Sequence, residues 1–103
     1  MKLLWTWGGI FFGYIEGENL WTCDGRHVGK LRCATIFGAD GHYLGELRNR
    51  NRLIAQVDEQ TPSIPAFTPF RTRLPGILHV NAECYPMPER HVEFPLPESF
   101  TPR

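Results

Sequence analysis

Apolar positions recur along the first half of the chain at a sixteen-residue step, not at helical spacing. Leu4-Trp5, Leu20-Trp21 and Ile36-Phe37 fall in register. So do Phe12, Val28 and Leu44, and then Ile15, Leu31 and Leu47. Glycines keep the same step: Gly9, Gly25 and Gly41, then Gly13, Gly29 and Gly45. The second and third copies nearly repeat each other, as DGRHVGKL (Asp24 to Leu31) and DGHYLGEL (Asp40 to Leu47). Aromatic and β-branched residues flank the turn glycines, which suits strands. Gly8-Gly9, Asp24-Gly25 and Asp40-Gly41 predict hairpins with two-residue type I′ loops, whose central residues need positive φ.

A two-residue loop sets the pairing. Trp5 then opposes Phe12, Trp21 opposes Val28 and Phe37 opposes Leu44 on one face. Leu4, Leu20 and Ile36 oppose Gly13, Gly29 and Gly45 on the other, beside the rings of Phe11, His27 and Tyr43. Both faces are apolar, so both need cover. The links EGEN, RCAT and RNRNR are short. Residues 1–56 therefore read as an antiparallel meander of about seven strands. A fourth copy opens at Leu53-Ile54 but lacks a DG turn, so it is either degenerate or completed from elsewhere in the chain. One such repeat cannot bury its own faces; the copies must stack or radiate.

Composition changes near residue 60, for all nine prolines lie at or after Pro62. Residues 1–60 form the repeat domain, and 61–103 a proline-rich extended tail packed on it as one structural unit. Proline excludes long central strands and helices there. The tail still holds Phe67, Phe70, Ile77, Tyr85, Val92, Phe94 and Phe100. GILHVN (Gly76 to Asn81) and RHVEF (Arg90 to Phe94) are its strand candidates. It is expected to cover an apolar face of the repeat, in its own chain or a neighbour's.

Charge and cysteines narrow the function classes. Eleven basic and eleven acidic residues give a formal net charge of zero, without the basic excess of a nucleic-acid or acidic-membrane binder. The apolar start, MKLLWTWGGIFFGYI, shares the register of the repeat. It therefore reads as the first copy and not as a signal peptide, and it is too short to span a bilayer. Three cysteines without a CxxC pattern do not make a disulfide framework, which points to a reducing, cytoplasmic setting.

Candidate chemistry is sparse. Cys23, His27, Cys33, His42, His79, Cys84 and His91 are possible metal ligands, but none has zinc-site spacing. His27 takes the place of Phe11 and Tyr43, as a ring in a structural slot. Neither metal nor cofactor is expected. No GxSxG, GxGxxG or Walker pattern occurs, and Cys84 lacks a recognised partner spacing. Asp24 and Asp40 read as turn residues. Arg48, Arg50 and Arg52 would share a face if their stretch were extended, giving a candidate anion site. Phe11, Trp21, His27 and Tyr43 are the candidate ligand-binding residues, since repeated aromatics can line a binding surface.

The stretches GGIFFGYI, DGRHVGKL and DGHYLGEL, with NLWTC and TIFGA between them, resemble the bacterial 4-fold β-flower proteins. These are small domains of uncharacterised function built from four hairpin petals. The resemblance implies an all-β petal arrangement about a pseudo-fourfold axis and supplies no catalytic residues. The expected function is a non-enzymatic binding or assembly module, self-associating or with a protein or small-molecule partner. The alternative is a small ligand-binding protein or enzyme with a site near the petal axis, using His27 or Tyr43 with His79 or Cys84.

Overall fold

The computed structural model describes residues 1–100; the last three residues of the proline-rich segment lie outside the described residues. Seven strands follow one another as a meander: β1 (Lys2–Thr6), β2 (Phe11–Glu16), β3 (Asn19–Thr22), β4 (His27–Arg32), β5 (Thr35–Gly38), β6 (Tyr43–Arg48) and β7 (Arg52–Gln56). Each is antiparallel to the next, and a parallel pairing of β1 with β7 closes the barrel. An eighth strand, β8 (His91–Glu93), pairs antiparallel with β7, and a 3-10 turn spans Pro97–Phe100. The successive pairs β1-β2, β3-β4, β5-β6 and β7-β8 are petals 1 to 4.

The petal turns differ from the expected two-residue loops. Thr6 N–H donates to Ile10 O and Gly9 N–H to Thr6 O, and the same pair of bonds recurs at Thr22/Arg26/Gly25 and Gly38/His42/Gly41. Each loop therefore holds three residues. Only the last is left-handed: Gly9, Gly25 and Gly41 have φ of 90°, 87° and 84°. A type I′ turn needs two such residues; one glycine at the third position gives a type I turn with a bulge. The pairing consequently shifts. Trp5 opposes Phe11, Trp21 opposes His27 and Phe37 opposes Tyr43, and a β-bulge next to each restores Leu4↔Gly13, Leu20↔Gly29 and Ile36↔Gly45.

That bulge sorts the side chains. Phe12, Val28 and Leu44 turn inward with Leu4, Leu20, Ile36 and Leu53 to make the barrel core, while Trp5 meets Phe11 edge-on and Trp21 meets His27 at a tilt outside it. The second glycine of each petal is fixed by close approach. A Cβ on Gly13, Gly29 or Gly45 would lie 2.0, 2.9 or 2.5 Å from the carbonyl oxygen of Trp21, Phe37 or Ile54, the equivalent residue of the next petal. Two-residue loops with left-handed residues occur instead at the far end of the barrel, as at Cys33-Ala34.

The tail completes the fourth petal. Ile54 opposes Glu93 as Trp5 opposes Phe11, so Phe94 takes the inward place of Phe12, Val28 and Leu44. It is fully buried, edge-on to Phe12 at 5.3 Å between ring centres. Between β7 and β8 the chain runs back around the petal tips. Ile64 and Phe67 N–H donate to Gly41 and Ala39 O, Arg73 and Ile77 to Gly25 and Cys23 O, and Ala82 and Tyr85 to Gly9 and Trp7 O. The leading donors, Ile64, Arg73 and Ala82, stand nine residues apart, so the strap keeps step with the petals. Val57 N–H to Arg90 O joins its two ends. RHVEF contributes β8; GILHVN forms no strand.

Two charged side chains hold the seam between petals 4 and 1. The buried Arg52 donates to Glu83 O at 2.7 Å, and more weakly to Thr6 and Trp7 O, with its guanidinium 4.1 Å from the Tyr85 ring centre. Glu93 accepts from Thr6 Oγ1 and Gly8 N–H, each at 3.0 Å.

Candidate functional site

The fourfold pattern lapses in one sector. Toward the petal tips the inward places hold Phe12, Val28, Leu44 and Phe94, so petals 2 and 3 carry aliphatic side chains where petals 1 and 4 carry rings. Petal 3 is reduced further: Gly38 stands where Thr6 and Thr22 are, and Ala39 where Trp7 and Cys23 are. The missing volume opens as a cleft of about 390 Å³, whose walls include Val28, Leu44, Gly38, Pro69 and Phe100. His27 and Asp40 also line it. Phe100 is held by its carbonyl, which accepts from the Arg26 guanidinium. The volume lies within the range of small-ligand pockets.

His27 is fully engaged. Its Nδ1 accepts from Phe70 N–H at 3.0 Å, which leaves Nε2 to donate to Gly29 O at 3.1 Å. Phe70 stacks on the imidazole at 4.8 Å and Phe67 lies against it at 5.2 Å. Burial, then the positive charges of Lys30 and Arg73, hold its pKa below the ordinary histidine value against the opposing Gly29 carbonyl. The ring is therefore a neutral structural group with both nitrogens occupied.

The other aromatic candidates sit on separate petals. Trp21 is sandwiched between Tyr14 and Phe70, with the Arg73 guanidinium 3.9 Å from its ring centre. Phe11 contacts Trp5 and His79 at 5.6 Å each. Tyr43 accepts from Gln56 N–H through its hydroxyl, whose pKa burial raises. Trp21 and His27 meet on petal 2, 5.0 Å between ring centres, while Phe11 and Tyr43 lie on petals 1 and 3; of the four, only His27 lines the cleft. Their rings lie beneath the strap, where Phe70 on petal 2 and His79 on petal 1, again nine residues apart, cover equivalent places.

The three arginines do not share a face. Asn49 and Arg50 are left-handed, with φ of 49° and 71°, so the stretch turns where an extended reading would align the side chains. Arg48 pairs with Glu46, Arg50 is exposed at the turn, and Arg52 is buried in the seam. Cys23 is half-buried, and its thiol is pushed up first by burial and then by Asp24, which disfavours the thiolate. Among the described residues no three His, Cys, Asp or Glu side chains group to hold a metal. No helix among them is long and apolar enough to cross a membrane.

The cleft has no chemical motif of its own, because it arises where Gly38, Ala39, Val28 and Leu44 are smaller than their counterparts in other petals. The signal lay in comparing copies: Thr, Thr, Gly; Trp, Cys, Ala; Phe, Val, Leu. Asp40, read as a turn residue, is at the turn and also at the cleft's rim.

The chain matches the 4-fold beta flower protein family over residues 2–91, from β1 through the whole strap to the first residue of β8, and it belongs to that family. No curated protein and no solved structure matches it.

Proposed function

We propose that this 4-fold beta flower protein is a non-enzymatic binding module, and that it binds a small, largely apolar ligand in the cleft between petals 2 and 3. One observation carries the reading: the fourfold pattern of large inward side chains lapses at this sector, and an apolar cleft opens there. An active site built on His27 or Tyr43 has less support, since hydrogen bonds to the backbone already occupy their polar atoms. Titration with 2-phenylethanol, followed by amide NMR, tests the proposal. Shifts confined to Val28, Gly38, Ala39, Asp40, Leu44 and Phe100 are expected. Shifts spread over the surface, or none at saturation of the probe, would overturn it.

A second reading, self-association through the strap, is favoured by Leu74, Leu78 and Val80, which are 81%, 95% and 76% exposed. Large exposed apolar side chains on one segment are candidates for a contact surface. Sedimentation equilibrium of the native chain and of Leu78→Asp addresses it. A native dimer or larger assembly that the substitution dissociates supports self-association; a native monomer removes it.

A further inference from the structure

Asp40 and Asp24 occupy the same turn position in successive petals, yet their surroundings differ. Asp24 accepts from the Thr22 hydroxyl and from Arg26 Nε at 3.0 Å, and it forms an ion pair with the same guanidinium. Burial raises its pKa, but the bonds from Thr22 and Arg26 outweigh that and lower it overall. In petal 3 both partners are replaced: Gly38 stands for Thr22, and His42 for Arg26. Among the described residues, what remains to Asp40 is one backbone bond, from His42 N–H to Oδ1 at 3.0 Å.

Gly38 also sets where this carboxylate lies. A Cβ there would be 3.3 Å from Asp40 Oδ1 and 3.4 Å from the Leu44 side chain. The carboxylate thus folds over the bare glycine backbone toward Leu44, at the mouth of the cleft. An ionised carboxyl accepts about four hydrogen bonds, and this one has most of that capacity left beside an apolar cavity.

We propose that the cleft selects organic ammonium ions: a small apolar body seated against Val28, Leu44 and Phe100, with its charged amine donating to Asp40. The inference rests on the binding position proposed above and adds the charge of the ligand. An apolar wall lowers the local dielectric and strengthens the ion pair relative to open solvent. The surface setting keeps the gain modest.

The test compares three probes of similar shape, 2-phenylethylamine, 2-phenylethanol and 3-phenylpropionate, by NMR titration of the full chain. The native protein should bind the amine about fivefold or more tighter than the alcohol, and the carboxylate most weakly. Added salt should shrink the amine's advantage. Asp40→Asn keeps the oxygen that accepts from His42 N–H and removes the charge. It should equalise amine and alcohol. Equal binding of amine and alcohol by the native chain overturns the ammonium selectivity and leaves the cleft as a binding position. An amine advantage that survives Asp40→Asn overturns the role of Asp40. Absence of cleft shifts with all three probes overturns both the selectivity and the binding position.

Discussion

Truncating Phe94 to alanine removes a fully buried ring supplied by the far end of the chain. The ring lies edge-on to Phe12 and presses on Gly45, where a Cβ would come within 2.5 Å of it. Neither neighbour can move far, because Gly45 is pinned against the Ile54 carbonyl and Phe12 sits in the central cluster. The cavity should therefore persist, and losing a buried Phe costs about 3–5 kcal/mol. Against the roughly 5–15 kcal/mol of a small domain, that is a large fraction. Phe70→Ala is the internal control. It lies on the same strap, stacks on His27 and Trp21, but is 57% exposed; its loss should cost about 1 kcal/mol. Urea unfolding of both variants, with m-values compared, reads the difference. If Phe94→Ala cost no more than Phe70→Ala, the tail would be an accessory wrap and the fourth petal would not depend on it.

The glycine series offers a geometric ranking. Gly13→Ala, at φ 155° and 2.0 Å from the Trp21 carbonyl, should destabilise more than Gly29→Ala, whose nearest backbone contact is 2.9 Å, when both are measured by thermal unfolding. Arg52→Gln should cost about 2–3 kcal/mol in urea, since it strips a buried donor from the seam; a neutral result would mean the carbonyls it serves find other partners. His27 imposes a pH dependence whose sign follows from its depressed pKa. The folded state keeps the ring neutral, whereas the unfolded chain takes up a proton near the ordinary value of about 6.5. Its contribution is complete above that value and is lost as pH falls toward the folded pKa, with a limiting slope of about 1.4 kcal/mol per pH unit. His27→Phe, which copies Phe11, should flatten this part of the stability curve, and parallel curves for the two proteins would contradict the assignment.

Much of this architecture is legible in the sequence because the repeat is written in glycine and apolar spacing. Seven strands, the common face of Leu4, Leu20 and Ile36, and the incomplete fourth copy all follow from the sixteen-residue step. The inner register does not, because whether a DG pair makes a two- or three-residue loop depends on which residues take positive φ. Trp7, Cys23 and Ala39, which a two-residue loop would place in paired strand positions, open the loops instead. The strap was harder to read. Its nine-residue step consists of backbone N–H groups at Ile64, Arg73 and Ala82, and backbone donors leave no side-chain signature. The cleft escaped notice for a related reason, since it is made by what Gly38, Ala39, Val28 and Leu44 lack relative to the other copies.

The proposed binding position lies where ring-sized side chains are missing, and Leu44→Phe restores one of them. Calorimetric titration of this variant with 2-phenylethanol is the most direct single measurement. A chain that unfolds as cooperatively as the native protein but no longer binds the probe is the predicted result. Binding at native affinity with the cleft filled would contradict it.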